Sequence, residues 1–326
     1  MNILNGKSAL VYLDQNKWID LSRAYYKRVD GEKYAQTLAK VQKAVAKNTA
    51  ILPLSAAHII ETQKITDIDR RKRLAKVMVE ISKGWTIAPE SYIVPQEISY
   101  SISKMLDKEV SISMPKGLRV IGRGVPFAFG FSEELHKHLG ISDEMAVNFL
   151  TFLDDPMVLF EFLVGNDESI VKKGIKGFTR NAASYAQEIE RKRNLGKKYS
   201  KVIRKRAYIG DLLLRDQEIF IMVFAQFGLS FKDFLSKGKK HITSFFEQIP
   251  IYDVEIGLAT ERNEHWDKSI DPNDMTDIGF LSVAIPYCDI VITEKFWADL
   301  AKRKKLSDKY KTTILSELSD IENIIG

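Results

Sequence analysis

Asp14, Glu61, Asp274, Asp277, Asp289 and Glu294 are the side chains whose types and spacing could do chemistry together. Asp14 lies in VYLDQNKWIDL, residues 11–21, where an apolar strand breaks and a helix begins. A carboxylate there hangs from the carboxyl end of a strand, where open α/β sheets place their ligands, although an Asp is also an ordinary helix N-cap. Glu61 lies in LPLSAAHIIET, 52–62, a short strand running into a helix capped by Ser55. NDMTDIGFLSVAIPYCDIVITEKFW, 273–297, holds Asp274 and Asp277 at a helix start, three apart and so on one face, then Asp289 and Glu294 on either side of an apolar strand. Such acids gathered at strand ends would repel, and some would keep their protons. A hard divalent cation reverses that logic, because Mg2+ or Mn2+ takes oxygen ligands and keeps several waters for substrate. Two such ions about 4 Å apart can activate water and stabilise the leaving oxygen of a phosphodiester.

The elements that must position these acids are legible as patterns. Residues 9–13 read as an apolar strand followed by a helix with Trp18, Leu21 and Tyr25 on one side. Tyr34, Leu38, Val41 and Val45 mark one face of a second helix. AILPL, 50–54, reads as a strand in which Pro53 argues for an edge or an end. A helix over roughly 67–83 buries Leu74, Val77, Met78 and Ile81, and WTIAP, 85–89, reads as the next strand. This order predicts an α/β fold with a largely parallel sheet flanked by helices. From about 95 to 250 the pattern turns helical, as in Phe220, Val223, Phe224 and Phe227. That stretch is too long for a loop, so it reads as an all-helical insertion, 96–250, splitting a domain made of 1–95 and 251–326. The run 148–165, cut by Asp154, Asp155, Pro156 and Glu161, reads as two core helices.

At 326 residues and 45% hydrophobic composition the chain can bury a sizeable core. The single cysteine, Cys288, excludes an internal disulfide framework, and no Cys/His cluster suggests zinc. The opening residues lack the charge and long apolar run of a signal peptide, and no stretch approaches the roughly 20 apolar residues of a membrane helix. A reducing, cytoplasmic setting without membrane contact is expected. Net charge is +6, and the excess is uneven. RKRNLGKKYSKVIRKR, 191–206, carries Arg191, Lys192, Arg193, Lys197, Lys198, Lys201, Arg204, Lys205 and Arg206 without an acid. Such density favours a polyanionic partner through counterion release; a solvated helix face is the alternative. Tyr185, Tyr199 and Tyr208 flank it, suited either to stacking on unpaired bases or to core packing. KGLRVIGRGVPFAFG, 116–130, with Arg119 and Arg123, reads as a phosphate-contacting loop or a surface turn, and it lacks the strand and the Lys-Ser/Thr ending of a P-loop.

Taken together, the three acidic segments resemble the PIN-like nuclease domain. In that family an Asp ends the first strand in an "LDxN" context, a Glu sits on an early helix, an Asp opens a late helix, and a strand reading D-apolar-T-acid closes the site. The resemblance covers roughly residues 8–95 and 250–305. It implies a Mg2+- or Mn2+-dependent endoribonuclease that leaves a 5′-phosphate and a 3′-hydroxyl, with RNA preferred to DNA as partner. It further implies Asp14, Glu61 and Asp277 as catalytic metal ligands, with Asp274 and Glu294 binding metal directly or through water. Asn16 and Thr293 would orient the ligands. Asp289 stands between a metal role and a structural one. His58, three residues before Glu61, reads as core packing or as a bond supporting the site. In bacteria such proteins often act as toxins or in defence against phage. A DNA nuclease of the same fold and a catalytically quiet scaffold binding RNA or a partner protein are the alternatives. Homodimerisation and a regulatory protein partner stay open.

Overall fold

The computed structural model describes residues 8–106, 120–130, 142–165 and 168–325. It is mostly helical with a small parallel sheet, and the chain divides into two units. The first comprises Met1–Pro89, Arg119–Thr179 and Tyr287–Gly326, and the second Glu90–Leu118 and Arg180–Pro286.

The sheet of the first unit has strands β1 (Ala9–Leu13), β2 (Ala50–Ile51), β5 (Ile290–Ile292) and β6 (Thr313–Leu315) in the order β2-β1-β5-β6, with every pairing parallel. β1 is central, and Leu10 to Leu13 are all buried, as expected of a strand covered on both faces. Its register sets Leu13 opposite Ile292, so β1 and β5 end side by side. Helices α1 (Gln15–Tyr25), α2 (Ala35–Ala46), α3 (Ala56–Gln63) and α4 (Ile68–Ser82) follow the periodicity of the sequence. Trp18, Leu21, Val41, Val77 and Met78 lose nearly all solvent contact in the shared core. Each such side chain contributes about 1.5–3 kcal/mol by leaving water.

The structure differs from the sequence reading in four places. The strand β3 (Trp85–Ile87) does not join the parallel ladder; it pairs antiparallel with β4 (Ile121–Arg123), and Leu54 bridges to Thr86 beyond the break that Pro53 imposes. The insertion is therefore not all-helical, and β4 is a three-residue strand around Gly122, too short for an alternating pattern to show. The segment 120–130 is also not an open loop. It forms β4 and the helical turn Gly124–Ala128, whose Val125 and Ala128 enter the core. Gly124 has φ +75°, and a Cβ there would meet Leu153 O at 2.4 Å. Arg119 lies outside the described residues. The divisions also fall elsewhere than 95 and 250. Leu159, Leu163 and Val164 of the helix Pro156–Val164 pack into the first unit's core, while Pro250–Pro286 belongs to the second unit.

The second unit is built of helices, including α5 (Glu90–Met105). Phe220, Phe224, Phe234, Phe245, Phe246 and Tyr252 form its aromatic centre, with Phe220 stacked on Tyr252 at 6.0 Å. Arg215 is clamped by Glu90, Asp216 and Glu255 at 2.5–2.9 Å. Among the described residues no helix is long and apolar enough to cross a membrane.

Candidate active site

In the sheet of the first unit the chain steps from β1 to β2 on one side, and β5 and then β6 lie on the other. Such a reversal opens a crevice at the carboxyl ends of the two central strands, where α/β sheets bind ligands. Asp14 is the first residue past β1, and Thr293 and Glu294 are the first two past β5. The two ends are fastened by a hydrogen bond from Asp14 N to Ile292 O at 2.9 Å. Asp14 and Glu294 each hold the extended N-cap position of the following helix, α1 and Lys295–Arg303. Helix N-termini favour negative charge there.

The carboxylate of Asp14 is held on both oxygens. Gln15 N donates to Oδ1 at 2.7 Å and Thr293 Oγ1 donates to Oδ2 at 3.2 Å. Burial nonetheless raises its pKa, against the lowering effect of these bonds and of Lys17. Lys17 itself is anchored to Ser316 O at 2.7 Å. Glu61, on α3, is pushed up to about 7, first by burial and then by the charges of Asp14 and Glu294, with Lys64 opposing. The structure thus brings Asp14, Glu61 and Glu294 into one electrostatic neighbourhood. Asn16 Nδ2 donates to Glu294 Oε1 at 2.8 Å, tying α1 to the end of β5.

Behind the acids stands a buried histidine. Ser55 N donates to His58 Nδ1 at 2.8 Å, so Nδ1 is the acceptor and the Nε2 proton points at Leu13 O, 2.7 Å away. This fixes the tautomer and ties the end of β1 to the start of α3. Burial lowers the His58 pKa to about 4, which keeps the ring neutral. Gln15 is buried too. Its Nε2 donates to Thr62 Oγ1 at 3.0 Å, next to Glu61, while its Oε1 has no hydrogen-bond partner among the described residues. Gln15, Lys17 and Lys64 were missed in the sequence because nothing in their types marks them. Their nearness to Asp14 and Glu61 along the chain was the available signal.

Asp289 is not brought to the crevice. Its Oδ2 accepts from Leu10 N at 2.7 Å, and its backbone pairs with Leu10 and Thr313. It therefore closes the amino-terminal end of the ladder, opposite to the end that carries Asp14. Asp274 and Asp277 lie in the helix Pro272–Tyr287 of the second unit. Asp274 Oδ2 accepts from Arg262 Nε at 2.7 Å and from Asp271 N at 2.9 Å, so that oxygen holds its own helix start together.

The basic run also lies in the second unit, and much of its charge is matched there. Lys192 meets Asp211, Lys201 meets Glu261, Arg204 meets Glu264 and Lys205 meets Glu247, at 2.7–3.1 Å. Arg191 is held by Glu188, and Arg193 by the carbonyls of His265 and Lys268. Lys197 lies over the Trp266 ring and Lys198 over the Tyr199 ring, and Arg206 is exposed. Tyr208 is buried and donates to Glu255 at 3.0 Å, whereas Tyr185 and Tyr199 are exposed. Arg123 donates to Lys83 O and covers the Trp85 ring, a structural arrangement.

Among the described residues no three His, Cys, Asp or Glu side chains converge closely enough to hold a metal ion by themselves. The donor chemistry of the crevice still suits a hard cation. It offers oxygen only, burial raises the pKa of Asp14 and of Glu61, and the buried Gln15 Oε1 lacks a partner among the described residues. Mg2+ characteristically takes one or two carboxylates and completes its shell with water and substrate phosphate. Comparison with protein-family models, curated protein sequences and solved structures finds no match to this chain.

Proposed function

We propose that the crevice past β1 and β5 hydrolyses phosphodiester bonds of RNA with Mg2+ or Mn2+, as the resemblance to PIN-like nucleases implies. The observation that carries this reading is the pair Asp14 and Glu61. Two carboxylates on separate elements at a switch point hold raised pKa values, Glu61 partly through the charge of Asp14. Acids that burial shifts in a crevice, beside a charge partner, are candidates for a functional site.

When bound, the metal would supply a Lewis acid and lower the pKa of a bound water. Asp14 and Glu61 would hold it, and Glu294, kept in place by Asn16, would act directly or through water. Thr293 and the amide of Gln15 fix the direction in which Asp14 presents its remaining lone pairs. Without metal Glu61, at about 7, is half ionised near neutrality, and a bound cation would require its ionised form, so binding would release that proton. Neutral His58 sets the position of Leu13, and with it Asp14, without adding charge.

The test is cleavage of matched single-stranded RNA and DNA by the purified chain with Mn2+, Mg2+ or EDTA, beside Asp14→Asn and Asp277→Asn. Metal-dependent RNA cutting lost in Asp14→Asn supports the reading. Cutting of DNA alone replaces the substrate, and no cutting with either metal overturns it in favour of a binding scaffold. Full activity in Asp277→Asn removes that residue from the catalytic set.

A further inference from the structure

At the far end of α1 from Asp14, the first unit has a cavity of about 130 Å3 walled by Arg23, Arg28, Arg70 and Arg73, with Ser22 and Tyr26 between them. Its walls are built by tight local packing. After α1 the chain turns at Lys27, φ 52°, and Arg28 N donates to Arg23 O at 3.0 Å. Gly31 then packs so closely that a Cβ would lie 2.3 Å from the Arg23 backbone. The opposite wall is the start of α4, held against α1 by the buried Leu21 and Leu74.

The charges do not balance. Arg23 pairs with Asp20 at 3.0 Å and Asp30 at 3.2 Å, and Arg28 shares Asp30 at 3.0 Å. Arg70 and Arg73 are exposed, and among the described residues their side chains make no hydrogen bond or ion pair. The acid that their charge reaches, Asp67, already caps the amides of Asp69 and Arg70. Arg23 and Arg28 are thus matched by Asp20 and Asp30, while Arg70 and Arg73 share the single charge of Asp67, so the four guanidinium groups lining the cavity keep a net positive charge.

From this geometry we infer that the arginine cleft binds a phosphate group. Guanidinium forks match phosphate oxygens two at a time, which a lysine cannot do. The source assigned is a phosphate of the strand whose scissile bond lies at Asp14, and that choice, unlike the anion site itself, rests on the hydrolytic reading. Asn16, Ile19 and Arg23 share one stripe of α1 at i, i+3 and i+7, and Asn16 holds Glu294. The helix rise places the cleft about 15 Å along that stripe from Asp14. A stacked strand with a rise of roughly 3.4 Å per nucleotide covers this in about four nucleotides.

The deciding experiment uses the full chain in EDTA, so that binding is read without cleavage. Fluorescence anisotropy of a labelled oligouridylate and calorimetric titration of inorganic phosphate and pyrophosphate would be compared for wild type, Arg70→Ala/Arg73→Ala and Arg70→Lys/Arg73→Lys. The expected result is about a tenfold or greater loss of strand affinity in the alanine pair, with partial recovery in the lysine pair. The slope of log affinity against log salt should fall by about 1.4, two contacts at roughly 0.7 each. Both pairs are exposed, and an unchanged thermal midpoint confirms that they fold. Loss of inorganic phosphate binding with strand binding intact overturns the strand assignment. Unchanged binding of all three probes overturns the cleft as an anion site, whatever Asp14→Asn does to cleavage.

Discussion

Thr293 Oγ1 donates to Asp14 Oδ2 at 3.2 Å, joining the residue just past β5 to the residue just past β1. Two residues 279 positions apart thus set one carboxylate's orientation. Thr293→Val keeps the shape and removes the donor, so the Asp14 pKa should rise further. A hydrogen bond to a charged group is worth about 1.5 kcal/mol or more, about tenfold in rate. The expected outcome is a fall of about that size in kcat/KM for RNA cleavage, with the acidic limb of the pH profile moved upward.

Glu61 should cost the folded chain stability as it ionises. Its pKa rises from an ordinary 4.5 to about 7 on folding, so between these values the unfolded state has released a proton that the folded state retains. Stability therefore falls as pH rises through that window and is fully diminished above it. Glu61→Gln removes this slope, and above pH 7 it should exceed wild type by about 3 kcal/mol without metal. Urea melts of both proteins from pH 4 to 8 would show the gap open, and added Mg2+ should narrow it at pH 8. An equal pH dependence in the two proteins would contradict the burial of Glu61 beside Asp14.

His58 works in the opposite direction. Its pKa falls to about 4 on folding, so stability is complete above the unfolded value near 6.5 and is lost as pH drops towards 4. His58→Phe fills the space but leaves Leu13 O and Ser55 N without partners, at about 1–3 kcal/mol each. A drop of roughly 2–6 kcal/mol in urea unfolding at pH 7 is expected, together with loss of this acid-side slope.

Asp289→Ala separates structure from chemistry. It strips the buried Leu10 amide of its 2.7 Å acceptor, at about 1–3 kcal/mol in unfolding free energy. RNA cleavage per folded molecule should not change. Lost cleavage at unchanged stability would return Asp289 to the metal set.

The local rules written into the sequence were enough to place most of the first unit's elements. A strand ending at Leu13, a helix starting after Asp14, a capped helix carrying Glu61 and a second strand ending before Thr293 follow from apolar period, N-cap residues and proline. What could not be read was the short strand β4, whose three residues include a glycine and whose partner lies 34 or more positions away.

The composition and periodicity of the chain determined an α/β unit with acids at strand ends, because those signals are carried by neighbours in sequence. Only the tertiary structure decided which end of β5 faces Asp14. That depends on parallel register, Leu13 opposite Ile292, and it puts Glu294 at the crevice and Asp289 at the other end of the ladder. The same holds for charge. Lys192, Lys201, Arg204 and Lys205 read as an open basic run, yet their counter-charges, Asp211, Glu261, Glu264 and Glu247, come from outside it and reach them only on folding. Arg70 and Arg73 lie at the start of α4, far in sequence from α1, and the return of the chain after α1 sets them opposite Arg23 and Arg28. Ionic pairing and pKa are through-space quantities, and a linear sequence fixes the groups without fixing their distances.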